Sequence, residues 1–443
     1  MSDVKAERAA LLREPNFRWM MGGGLISALG DQFTMIALPW LVLTLTGSPL
    51  TMGLVIALMS IPRALLILVG GALVDRYSPK SVLMLSKFAN GLLLCLLAAM
   101  VLTDRVSMPA VYVLAFGLGL ASAFSIPAGT SMLPSVVAPP QLPLANGISM
   151  GVRQLTMLAG PLLAALVFAL FGDGSGAGSG LPLGSGSTPG SGSTPGAGSM
   201  QGIGIAFAFD AFSFLLSAWT LDKVRLLHAP PKAAAEPVFK SIGAGLAMVW
   251  RDRSLRVCML YWSFGALVAG GTMQVALPVL ASTRLGGASQ LGLIMAVHGV
   301  GSLAGMALSG MFGKIRFGTF GATLLVFDAL VGLLLVGMAS AQSTWQAAAF
   351  MLVLGMLGGF LQVAVFSWIQ QRVPRPMLGR AMSIFMFVFM GLAPLAAAVT
   401  GYLLQYLSLT QLFLGAGGSL LVGAVLAWLF TSMRHVTDAQ PAQ

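Results

Sequence analysis

Charge is scarce in this sequence: Asp, Glu, Lys and Arg make up 8% of its 443 residues. Ordinary soluble domains carry roughly 25%, so a water-soluble fold of this length could not cover its surface. Cysteine is nearly absent. Cys95 and Cys258 are too few for a disulfide framework or a metal cluster. Three His and 13 acidic residues show no ligand spacing, so neither a metal centre nor a cofactor is expected. No nucleophile–base set stands out, which argues against an enzyme. "GGG" at Gly22–Gly24 follows no strand and carries no downstream Lys-Ser/Thr, so it is not a phosphate loop. Short alternating segments of the kind that build a membrane barrel do not occur either.

What the sequence has instead is long apolar runs, most above 20 residues, the length that crosses about 30 Å of hydrocarbon as a helix. Twelve can be read off, near 18–45, 50–74, 82–102, 108–132, 144–171, 201–221, 256–283, 288–312, 319–340, 346–370, 380–407 and 411–432. The fold class is therefore an all-α polytopic membrane protein. The net charge of +11 encodes orientation and not a nucleic-acid partner. With cytoplasmic N- and C-termini, all but four of the 24 Lys and Arg fall in cytoplasmic segments or at their edges. Arg105 and Arg284 fall outside, and Arg63 and Arg153 lie within spans. Residues 1–17 carry Lys5, Arg8 and Arg13 ahead of a long span with no small-residue cleavage site, as in an uncleaved anchor.

The chain repeats itself. "ALPWLVLTLTGSPLTMGLVIA" from Ala37 and "ALPVLASTRLGGASQLGLIMA" from Ala276 match without a gap at nine of 21 positions, including Pro39 with Pro278 and Gly53 with Gly292. Each copy begins late in a span, crosses a short outer loop and enters the next. Two parallel six-helix halves fit that offset: an N-terminal bundle over 1–221 and a C-terminal bundle over 256–443. Residues 222–255 are polar and basic and read as the cytoplasmic linker, with helical apolar spacing from Phe239 to Trp250. Residues 172–200, almost wholly Gly, Ser, Thr, Pro and Ala, read as a disordered external loop.

The most specific signal is "GGALVDRYSPK" between the second and third spans, with Gly71, Asp75, Arg76 and Lys80. It resembles the loop signature of the major facilitator superfamily, G-x-x-x-D-R/K-x-G-x-R/K-R/K, with Ser78 and Ser81 as departures. The equivalent loop of the second half, "SGMFGKIRFG", lacks the acid. Span five resembles the exporters' pattern g-x8-G-x3-G-P-x2-G-G: Gly147, Gly160 and Pro161 match, while Thr156, Ala164 and Ala165 are small substitutes. The Arg-containing span-four pattern of drug:proton antiporters is missing from "AFGLGLASAFSIPAG". Within the superfamily the chain is most similar to the macrolide-efflux and siderophore-exporter group.

That resemblance implies a secondary transporter in which two bundles rock around a central cavity. It would export amphipathic small molecules (drugs, macrolides or siderophore-like compounds) by proton antiport. Spans one, four, seven and ten would line the cavity, and the Asp75 loop would gate it against span eleven near Leu378-Gly-Arg. A monomer in the cell (inner) membrane is implied, with the lipid bilayer, protons and a small-molecule substrate as partners. A lipid or lysolipid transporter of the same fold, or a non-transporting sensor or scaffold, is the alternative.

Ionisable groups inside spans are costly, about 3 kcal/mol each by insertion scales, and are functional candidates by default. Asp31 lies about 20 Å of helix from Arg18, hence near mid-bilayer. Arg63, Arg153, Asp210, His298 and Asp328 are also central. Asp31 with Arg63 and Arg153 with Asp210 are the expected pairs, and Asp31 is the leading candidate for proton coupling or a cationic substrate. Asp328 and His298 read as structural polar groups.

Overall fold

The structure is a computed structural model. It describes residues 11–76, 78–138, 141–172, 200–226, 238–311, 317–373, 377, 381–382, 384–385 and 387–437. Among them every regular element is helical. In chain order the helices are α1 (Pro15–Thr46), α2 (Pro49–Arg76), α3 (Pro79–Leu102), α4 (Met108–Ala123), α5 (Ser125–Val136), α6 (Leu142–Phe171) and α7 (Gln201–Asp222). Then follow α8 (Val238–Arg251), α9 (Arg253–Gly271), α10 (Ala288–Met311), α11 (Phe320–Met338), α12 (Thr344–Arg372), α13 (Leu392–Leu403) and α14 (Leu409–Phe430).

Nine helices among the described residues are long and apolar enough to cross a membrane. Three shorter apolar helices, Pro49–Arg63, Met108–Ala123 and Leu392–Leu403, stand where the second, fourth and eleventh expected spans fall. The Gly/Ser/Pro stretch lies outside the described residues over 173–199, as do 227–237 of the linker and the Leu378-Gly-Arg segment. The helical spacing expected from Phe239 to Trp250 is realised as α8.

Local chemistry sets the helix ends. Pro15 and Pro79 sit in the first turns of α1 and α3, where a missing N–H costs nothing. Gly47 ends α1 at φ +61°, its N–H returning to the Leu43 carbonyl. Ser408 and Gln411 cap α14 reciprocally. Proline also explains two irregularities. Pro127 has no N–H for the Ala123 carbonyl, and the expected fourth span breaks at Phe124 into α4 and α5. Around Pro278 the helix α9 continues through π turns at Thr272–Ala276 and Ala281–Leu285.

The chain divides into two compact units. One comprises Met1–Gly47, Leu65–Ala234 and Ala281–Ala296; the other comprises Ser48–Ala64, Ala235–Leu280 and Val297–Gln443. Each unit thus takes in a short segment from the opposite half of the sequence, and those segments carry the repeated glycines. In the first unit, a Cβ on Gly292 would lie 2.7 Å from the Pro161 carbonyl oxygen and 2.7 Å from the Ala165 Cβ. In the second, a Cβ on Gly53 would lie 2.5 Å from the Ala397 carbonyl oxygen. The repeat therefore writes the same contact twice: a glycine that lets one helix reach the backbone of another.

Within the first unit α7 packs on α3 and α1, and α1 also on α6. Within the second, α11 packs on α14 and α12, and α9 on α13. The small-residue patterns Gly301–Gly305 and Gly355–Gly359 meet each other. Cβ atoms on the first pair would strike the Leu352 and Met356 carbonyls, and on the second pair the His298 and Ser302 carbonyls. Phe320 stacks on Trp368 at 5.1 Å in the core of that unit.

Candidate functional site

In the first unit, polar side chains line one face of each of three helices. On α1, Ser27, Asp31 and Thr34 follow at i, i+4 and i+7, which stacks them on one side. On α7, Asp210 and Ser213 follow at i and i+3, with the aromatic Phe214 beside them at i+4. Gly30 brings the two helices together, since a Cβ there would overlap Asp210 and Ser213. The third helix, α3, contributes Lys87.

These groups form one network. Thr34 donates its hydroxyl hydrogen to Oδ2 of Asp210 at 2.5 Å, and Ser213 donates to Oδ1 at 3.1 Å. Lys87 donates from Nζ to the Ser27 hydroxyl at 2.5 Å and lies 4.7 Å from the Phe214 ring centroid. Its ammonium lies within electrostatic range of both Asp31 and Asp210, as do the two carboxyl groups of one another. Asp210 is fully buried, whereas Asp31 is exposed. Burying an ion costs several kcal/mol unless charge and hydrogen bonds compensate it. Thr34 and Ser213 satisfy the two carboxyl oxygens of Asp210 by hydrogen bonds.

The surroundings of Asp210 differ from the expected pairing with Arg153. Around Asp210 stand Asp31, Thr34, Ser213 and Lys87, while Arg153 is exposed. Arg63 lies on α2. Lys87 was missed because it follows soon after the basic loop, although it is the one Lys or Arg inside the expected span 82–102. The Ser27–Asp31–Thr34 stripe was equally open to reading by its helical spacing.

The loop signature splits. Gly71, Asp75 and Arg76 belong to the last turns of α2, and their side chains lie outside the described residues. Lys80 is described: its Nζ donates to the carbonyls of Asp222 at 2.8 Å and Val224 at 2.9 Å, meeting the negative end of α7. Of the span-five pattern, Gly147 faces open space, Gly160 packs against the Gln32 side chain, and Pro161 and Ala165 receive Gly292.

In the second unit, Asp328 on α11 confronts Tyr261 on α9. Both the Tyr261 hydroxyl and Oδ2 of Asp328 are buried without a hydrogen-bond partner among the described residues.

A family model described as Major Facilitator Superfamily matches residues 20–393. The chain is 23% identical over 433 residues to the enterobactin exporter EntS of Shigella dysenteriae serotype 1, covering 97% of this chain and 95% of that protein. Among solved structures, it resembles a bacterial homologue of the iron transporter ferroportin in an inward-facing state. The TM-score is 0.65 and identity 18%, over 93% of this chain and 98% of that one. It also resembles a POT family transporter in complex with 5-aminolevulinic acid (TM-score 0.69, 10% identity, 94% and 96% covered).

Proposed function

We propose that this chain, which belongs to the Major Facilitator Superfamily, exports amphipathic small molecules of the siderophore kind and couples export to proton entry. It is a multi-pass membrane transport protein and not an enzyme. The reading of its cargo is carried by one observation: the likeness to an enterobactin exporter runs through 97% of this chain and 95% of that protein. A shared loop or a single shared bundle would not produce that coverage.

The Asp31–Lys87–Asp210 network supports proton coupling. Asp210 would bind the proton, Lys87 would move its partnership toward Asp31, and Asp31 is the exposed member that can meet water or cargo. The bundles over 1–221 and 256–443 would alternate access by rocking, with twelve spans, both termini cytoplasmic and a monomer in the inner membrane as the working unit.

Cells lacking their own exporters provide the test. Expressing the chain should raise secretion of a catecholate siderophore, and a protonophore should abolish the gain. Unchanged secretion at verified expression would remove the cargo reading; secretion that ignores the protonophore would remove the coupling.

A further inference from the structure

Apart from the charge network, the first unit carries a groove of about 400 Å³ along α1 and α7. Arg18, Trp19, Gly22, Ile26, Leu216 and Trp219 line it. It runs from Pro15 to Ile26 on α1, about 16 Å of helix and close to one leaflet of hydrocarbon. Its two ends differ in chemistry. Ile26 and Leu216 make the far end apolar. At the near end, Lys223 sits 5.6 Å from the Trp219 ring centroid, and Arg18 and Arg225 are exposed.

The tryptophans mark a membrane interface. Trp19 and Trp219 meet edge to face at 5.5 Å, yet remain 40% and 49% exposed. Such rings settle where headgroups meet acyl chains. Charge around them is lopsided. Arg13, Arg18, Lys80, Lys223 and Arg225 are basic, against Glu14 and Asp222. Glu14 already accepts from Asn16, and Lys80 is committed to the end of α7. Backbone packing explains why the groove stays open. Gly23 closes against Thr220, where a Cβ would overlap the hydroxyl, but a Cβ on Gly22 would meet nothing within 4 Å.

A cationic rim above an apolar slot of leaflet depth complements one class of molecule. We propose that this groove binds a single anionic phospholipid, its phosphate against Arg18 and Lys223 and an acyl chain along Gly22, Ile26 and Leu216. The site uses none of the groups in the charge network, so it stands or falls separately from the transport reading.

Native mass spectrometry of the purified full chain, in micelles holding equal phosphatidylglycerol and phosphatidylethanolamine, tests it. The wild type should retain one phosphatidylglycerol. Arg18→Ala with Lys223→Ala should weaken that adduct about tenfold relative to phosphatidylethanolamine, and Arg105→Ala with Arg284→Ala should leave it unchanged. Gly22→Leu, which fills the slot without touching a charge, should also lose the adduct and decides the matter if the double variant does not fold. A lipid ratio that is the same in wild type, Arg18→Ala/Lys223→Ala and Gly22→Leu would overturn the site, leaving only a non-specific annulus.

Discussion

Thr34 on α1 donates its hydroxyl to Asp210 on α7 at 2.5 Å, across 176 positions of sequence. Removing a donor from a buried carboxylate leaves the acceptor short. Thr34→Val should therefore cost about 1.5–3 kcal/mol of stability, and Thr34→Ser much less, as read by thermal unfolding in nanodiscs. A loss for Thr34→Val no larger than that for Thr34→Ser would mean the hydroxyl contributes no more than the methyl group.

Lys87 and Asp210 should be energetically coupled. Lys87→Met removes the donor to the Ser27 hydroxyl and the cation beside Asp31 and Asp210, and should destabilise by about 1–3 kcal/mol. Asp210→Asn added to it should recover part of that loss. A double-mutant cycle should then give an interaction of about 0.5–3 kcal/mol. Simple additivity would show that the two side chains act independently.

Gly53 and Gly292 should fail together. A valine at either drives side-chain carbons into the Ala397 or Pro161 backbone, an overpacking of about 1–3 kcal/mol. Gly24→Ala, where a Cβ meets nothing within 4 Å, should be silent in the same unfolding assay.

Asp252 gives a pH signature. It caps α9 through the Ser254 and Leu255 amides and accepts Arg372 Nε at 2.8 Å and Nη2 at 3.0 Å. Burial pushes its carboxyl up, but the Arg372 and amide hydrogen bonds outweigh that and hold it below the usual range. A depressed carboxyl stabilises fully above its unfolded pKa, about 3.9, and loses that contribution as pH falls through the folded value. Arg372→Ala should therefore cost about 1–2 kcal/mol near neutrality. The gap from wild type should shrink below about pH 4.

Much of this was legible in the sequence, for definite reasons. Hydrocarbon demands long uninterrupted helices, so apolar runs mark the spans directly. The twofold phrase marks Gly53 and Gly292, because a close backbone approach tolerates only the smallest side chain. The break at Phe124 was hidden, since whether a proline bends or splits a helix depends on its neighbours: Pro39 stays within α1 and Pro127 ends α4. The partners of Asp210 were hidden as well. Pairing charges by apparent depth favoured arginines, but the rotation of each helix decides which side chains face one another. That rotation brings Lys87, Thr34 and Ser213 to Asp210 and leaves Arg153 exposed.

The most direct test of proton-coupled export is substrate movement in proteoliposomes under an imposed pH gradient, comparing wild type with Asp210→Asn and Lys87→Gln. Wild-type protein should accumulate a catecholate siderophore against its gradient only while the pH difference lasts. Both variants should still equilibrate it but not concentrate it. Gradient-driven accumulation by Asp210→Asn at the wild-type level would contradict the account.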